Sequence, residues 1–278
     1  MKKIISVTLA LLLFVLAIPS LASCAGADND TITVITREDG SGTRSAFMEL
    51  VGIESITKSA EVSQSTTVVM TSVEGNPSAI GYISLGSLNK SVKALKIDGV
   101  AATAANVKNG TYKISRPFNI ATKGTLSAAT ADFISFIMSA EGQAVVEKNG
   151  YVSVGEGEHY TAKGISGKIV ITGSSSVKPV MEKLKEAYVK LNPSVTIELM
   201  QSDSSNGMKS VADGLCDIGM ASRELKDSEK ASGLTPTAIA IDGIAVIVNK
   251  ECPVSDLTVK QIADVYSGKI TKWSEVQK

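Results

Sequence analysis

The chain has 278 residues, in which 28 lysines and arginines offset 28 aspartates and glutamates, so the formal net charge is zero. That balance excludes the basic surface that nucleic acid demands and leaves any anion to be held by local dipoles rather than by a long-range field. The length suits one large or two medium domains with a sizeable core.

The chain opens on Lys2 and Lys3, then an apolar run from Ile4 to Ile18, then Pro19-Ser20-Leu21-Ala22-Ser23-Cys24. A charged start, an apolar core short for a membrane span and a small-residue cleavage site predict an export signal over 1–23. Leu21-Ala22-Ser23-Cys24 is similar to a bacterial lipobox, which implies lipid on Cys24 and anchoring at the extracytoplasmic face of the cell membrane. Residues 24–30 then read as a polar tether.

Beyond the tether, short β-rich runs alternate with amphipathic stretches, the pattern of α/β layers. Thr31–Thr36 predicts a strand and Arg44–Val51 a helix. Val68–Val73 reads as a helix stopped by Gly75-Asn76-Pro77. Ala79–Leu85, Val92–Ile97 and Asn119–Ala121 read as strands. The apolar spacing of Phe133, Ile134, Ile137, Met138, Val145 and Val146 predicts one helix over Ser127–Asn149. Gly155–Gly167 (GEGEHYTAKGISG) has the composition of a linker rather than a packed element. Lys168–Thr172, Val195–Met200, Asp217–Ala221 and Thr237–Val248 follow as strands; Val177–Leu191, Gly207–Gly214 and Thr258–Tyr266 follow as helices.

Cys216 and Cys252 lack the C-x-x-C spacing of a zinc or redox site; Cys216 reads as a small buried residue, and a disulfide between the two stays open in an exported protein. His159, the sole histidine, falls in the predicted linker without an aspartate or serine partner in its sequence context. No metal-binding, P-loop or nucleophile-elbow signature is present, which argues against an enzyme and against a cofactor.

Three strand-to-helix junctions are loaded with Gly, Ser and Thr: Asp39–Thr43, Gly173–Ser176 and Ser202–Gly207. Each puts small hydroxyl residues where the first helical turn leaves N–H groups unpaired and where the helix end carries partial positive charge. One such junction is an ordinary cap. Three together can cradle an anion with little formal charge.

Arg37-Glu38-Asp39-Gly40-Ser41-Gly42-Thr43-Arg44 resembles the R-x-D-G-S-G-T segment of bacterial phosphate-binding proteins of ABC transporters. Thr172–Pro179, Asp217–Arg223, Ile241–Val246 and Tyr266–Trp273 are similar to further segments of that family, so the resemblance covers nearly all of the chain after the signal. It implies a two-lobed, type II periplasmic-binding-protein-like α/β clamshell with inorganic phosphate in the cleft and the permease subunits of an importer as partners. Carried over by position, the ligand shell falls on Ser174, Ser175, Ser176, Ser205, Ser222, Arg37, Asp39, Ser41, Gly42 and Thr43, with Arg37 paired to Asp39. Where family members place an aspartate that accepts the proton of bound phosphate, this chain has Ser222, so Asp39, Asp242 or both are the expected acceptor. The other readings are a receptor for sulfate, molybdate or phosphonate, and a phosphate sensor or adhesin without transport.

The order of segments departs from the family: the part resembling Lys168–Val276 comes first there and the part resembling Thr31–Val154 second. A circular permutation joined through 155–167 is expected, with the alternative of a domain-swapped dimer. One lobe is then expected to combine 31–91 with 250–278 and the other to span 92–249, with crossings near Ser91 and Asn249.

Overall fold

The computed structural model describes residues 30–276; the expected signal, Cys24 and residues 25–29 lie outside them. The first part of the chain forms β1 (Thr33–Arg37), α1 (Gly42–Val51), β2 (Glu61–Ser63), α2 (Thr66–Glu74), β3 (Ala79–Ser84), β4 (Lys93–Ala94), β5 (Lys96–Ile97) and α3 (Ala104–Lys108). β6 (Ser115–Lys123), α4 (Ala128–Ile137), α5 (Ala140–Lys148), β7 (Gly167–Ser174), α6 (Lys178–Leu191), β8 (Val195–Ser202), α7 (Ser204–Ala212), β9 (Ile218–Ala221) and α8 (Asp227–Ala231) follow. The long β10 (Leu234–Val248), β11 (Asp256–Leu257), α9 (Val259–Tyr266) and α10 (Trp273–Val276) complete it.

Helix starts obey a common local rule. Ser41, Ser65, Ser127, Ser139, Asp203 and Thr258 each sit at an N-cap and accept from the backbone N–H three residues on, which satisfies a donor the helix itself leaves over. Ser139 also explains a departure from the expected single helix over 127–149. It caps α5, and Gly142 behind it lets α5 approach so closely that a Cβ there would lie 2.1 Å from the Phe136 carbonyl oxygen. The apolar spacing runs on through the break, which is why periodicity alone hides it.

Parallel half-sheets β2-β1-β3 and β9-β7-β8 are joined by antiparallel pairing through β10 and β6, in the order β2-β1-β3-β10-β6-β9-β7-β8. β10 serves both halves: Leu234–Gly243 pairs with β6, and Ile244–Val248 pairs with β3. The buried apolar residues divide accordingly. Ile32, Phe47 and Tyr82 pack with Leu95, Val107, Ile114, Ile244, Val248 and Tyr266, whereas Phe118, Phe133, Ile171, Tyr188 and Ile239 form the other core.

The division between cores therefore differs from the expected crossings at Ser91 and Asn249. Residues 92–114 and 244–249 belong with the lobe that holds the two ends, because β4 pairs with the end of β10 and β5 with β11. The chain passes between lobes near 115–117 and 241–243, inside β6 and β10, whose pairing continues through both crossings. The described ends meet: Thr31 bridges Lys272, Trp273 N–H donates to the Asp30 carbonyl, and Asp30 accepts from Ser274.

Residues 155–166 contain no helix or strand, but they are docked, in contrast to the loose linker expected. Tyr160 donates to Asp132 at 2.6 Å, beside the Tyr188 hydroxyl at 2.8 Å from the same oxygen, and it accepts from Asn192. Its ring packs edge-on against Phe136. The Glu141 carboxylate accepts from Tyr160 N–H and pairs with the exposed His159, the partner that sequence context did not supply. Cys216 and Cys252 are unbonded and lie against different cores.

Candidate functional site

The site begins where β1 ends. Arg37 is only 2% exposed, and its backbone N–H donates to the Tyr82 hydroxyl, which also bonds Thr36 at 2.7 Å. Tyr82 stacks on Phe47 with ring centroids 4.0 Å apart, and burial raises its phenol above the ordinary value, so it stays a neutral hydroxyl that fixes the strand end. The Arg37 guanidinium forks onto Glu38 at 2.7 and 2.8 Å and reaches Thr66 at 3.5 Å. The expected pairing with Asp39 does not occur. The Asp39 side chain is 94% exposed and bonds Arg44 on the first turn of α1, so it is turned out of the cleft and is not placed to accept a proton there.

Hydroxyls from both lobes meet beside this arginine, which reaches them through Thr66. Thr43 bonds Ser176 at 2.8 Å and Ser222 at 3.3 Å. Thr66 bonds Ser176 at 2.9 Å, and its N–H donates to Ser175 at 3.4 Å. Ser174 donates to Ser222 at 3.0 Å, and Ser204 accepts from the N–H groups of Gly42 and Ser222, each at 3.2 Å. Thr43, Thr66, Ser174, Ser175, Ser176, Ser204 and Ser222 are all buried. Ser41 stands beside them as the cap of α1.

Four helices point their starts at this cluster: α1 at Gly42 and Thr43, α2 at Thr66, α6 after the Ser174–Ser176 turn, and α7 at Ser204. Their leading N–H groups and partial positive charge add to Arg37. Close backbone packing places α7. A Cβ on Gly207 would lie 2.8 Å from the Gly173 Cα, and Gly173 itself has φ 137°, with the Met220 carbonyl where its Cβ would stand.

Nearby carboxylates are each engaged elsewhere. Glu38 holds Arg37, Asp39 holds Arg44, Glu229 holds Arg223 through two bonds at 2.8 Å, and Asp203 caps α7. Asp242 accepts from Arg116 at 3.1 Å, from Ser84 at 2.9 Å and from Gly86 N–H at 3.4 Å. Burial pushes its carboxyl up to about 6, against the opposing pull of Arg116. The cluster is thus built from groups that donate, with hydroxyl lone pairs as its side-chain acceptors.

Two residues here escaped the sequence reading. Thr66 belongs to a Ser65-Thr66 cap ahead of an apolar run, a signal of the same kind as the three junctions singled out. Ser204, rather than the expected Ser205, enters the cluster, because Asp203 is the cap and α7 starts at Ser204, three residues before the expected start at Gly207. Ser205 instead accepts from Arg223 at 3.3 Å, and its N–H donates to the Gly40 carbonyl across the cleft.

The model of a family described as "PBP superfamily domain" matches residues 22–141 and 159–278. A relative named phosphate-binding protein PstS 2, from Streptococcus agalactiae serotype V, is 54% identical over 96% of this chain and 97% of its own length. One of the same name from Streptococcus pneumoniae serotype 4 is 49% identical over 89% and 88%. A crystal structure of a phosphate-binding protein of a phosphate ABC transporter, from Streptococcus pneumoniae TIGR4, is 48% identical and superposes with a TM-score of 0.71 over 88% of this chain and 99% of that one.

Proposed function

Since the chain belongs to the PBP superfamily, we propose that it is a solute-binding protein that captures inorganic phosphate between its lobes and delivers it to an ABC importer. The observation that carries this reading is the buried cluster in which Thr43 and Thr66 of one lobe meet Ser174, Ser175, Ser176, Ser204 and Ser222 of the other beside Arg37, which reaches Thr66. Such a shell of hydroxyls, N–H groups and one guanidinium suits a tetrahedral oxyanion, each donor being worth more once water is excluded. Ser222 bonds Thr43, Ser174 and Ser204, which makes its hydroxyl the proposed acceptor for the proton of bound phosphate. Closure over the anion then presents one rigid surface to the permease.

Isothermal titration of the purified protein with phosphate, sulfate, molybdate and a phosphonate tests this. Phosphate binding with little heat from the others supports it; binding of sulfate in preference to phosphate overturns it in favour of another oxyanion receptor. No carboxylate is bonded within the hydroxyl cluster among the described residues, and this favours keeping that second reading in the same titration. The naming of the relatives as binding proteins supports a role in capture rather than catalysis.

The lipobox-like segment supports attachment through Cys24 at the extracytoplasmic face, testable by palmitate labelling of the natural chain and of Cys24→Ala. The pairing of Asp30 and Thr31 with residues 271–274 supports a permuted monomer over a swapped dimer. Light scattering on the eluting protein separates the two.

A further inference from the structure

Buried polar atoms without a hydrogen-bond partner gather where the lobes join. Ser87 Oγ, Arg116 Nε and Nη1, and Tyr151 Oη all fall into this class among the described residues, and Arg116 and Tyr151 both feel the charge of one carboxylate, that of Asp242. Asp242 takes Arg116 on one oxygen and Ser84 with Gly86 N–H on the other. Arg116 and Asp242 face each other in the β6–β10 pairing, at the point where both strands pass between lobes.

Tyr151 ties this cluster to the motion of the lobes. Its ring belongs to the core of one lobe, 5.5 Å from Phe118. Its hydroxyl end lies on Gly86, in the Leu85–Ser87 turn of the other lobe, where a Cβ would come within 2.2 Å of the ring and 2.6 Å of the hydroxyl. The hydroxyls of Ser84 and Ser87 stand close enough to draw the phenol down against the rise from burial, but neither meets it in full hydrogen-bond geometry.

A buried hydroxyl without a partner carries a desolvation cost that it loses as soon as it reaches solvent. The contact of Tyr151 with Gly86 joins two bodies linked by the strands that cross at 115–117 and 241–243, so rotation about those strands changes it. We propose that Tyr151 is a positioning residue for anion capture: seated on Gly86 beside the Arg116–Asp242 pair, it sets a cost on lobe closure that the bound anion offsets. The inference rests on the reading of the cleft as a phosphate site. Its consequence is that apparent affinity is the intrinsic affinity of the closed form reduced by the fraction of protein that closes unaided.

Tyr151→Phe removes the hydroxyl, keeps the ring on Gly86 and touches nothing in the cleft. Titration with inorganic phosphate is expected to show binding about three- to tenfold tighter than the natural chain, and X-ray scattering of the anion-free variant a radius of gyration shifted toward the phosphate-bound value. Gly86→Ala drives a methyl into the ring and is expected to weaken binding at least about tenfold. Unchanged or weaker binding by Tyr151→Phe, with an unchanged anion-free radius, overturns the proposal, and does so even if Gly86→Ala fails to fold. A natural chain that neither binds phosphate nor contracts with it overturns the phosphate reading itself and takes this inference with it.

Discussion

Thr43 and Ser176 meet hydroxyl to hydroxyl at 2.8 Å although they come from opposite lobes, and both are shut away from solvent. Each hydroxyl has a second partner, Ser222 for Thr43 and Thr66 for Ser176. Thr43→Val keeps the shape and removes the hydroxyl that also faces Ser222. Phosphate affinity is expected to fall about tenfold to a hundredfold, the cost of a buried donor deleted from a polar cluster. Calorimetric titration measures it, and affinity within twofold of the natural chain would place the anion elsewhere.

Gly42 is a steric requirement of closure. A Cβ there would stand 2.4 Å from Ser204 Oγ, 2.9 Å from Ser222 Oγ and 3.0 Å from Arg223 Cγ, all on the facing lobe. Gly42→Ala is therefore expected to abolish phosphate-induced contraction in X-ray scattering while leaving the anion-free melting temperature within a few degrees, since the clash exists only between lobes.

Asp242 gives stability an unusual pH dependence. Its carboxyl titrates near 6 in the fold against an ordinary value of 3.8, so between about pH 4 and 6 the folded chain holds more protons than the unfolded one. Stability from this group is greatest on the acid side and falls as pH rises through that window, by an order of 2–3 kcal/mol. Urea unfolding at pH 4.5 and 6.5 is expected to show this term in the natural chain and to lack it in Asp242→Asn. The opposite sign in the difference between the two proteins would refute the assignment.

The docked segment makes a prediction confined to stability. Tyr160→Phe deletes the donor to Asp132 and the acceptor for Asn192, and is expected to cost about 1–3 kcal/mol in urea unfolding. Phosphate affinity should not change, because nothing in this network touches the hydroxyl cluster.

Much of the fold was legible because its signals are local. Ile169–Thr172 is β-branched at every position, Gly173–Ser176 turns it, and the apolar face of 177–191 needs no knowledge of its neighbours to read as a helix. The lobe boundary was not legible, since β10 runs unbroken through Ile239–Val248 and, Asp242 and Gly243 apart, is apolar whichever core each residue enters. The site was readable as a set of capped helix starts. Its details depended on phase: whether Ser204 or Ser205 faces inward turns on Asp203 being the cap, and which acid holds Arg37 turns on Arg44 drawing Asp39 outward. Thr66 was missed because its cap lies in a stretch read for its apolar core alone.

The side-by-side placement of Asp30 and Ser274 also decides how the clamshell would bear a load. A surface, bead or fused reporter attached at residue 30 or at residue 276 hangs from the same jaw and leaves the other free to swing. A dye on each jaw, rather than one near each terminus, is what would register its stroke.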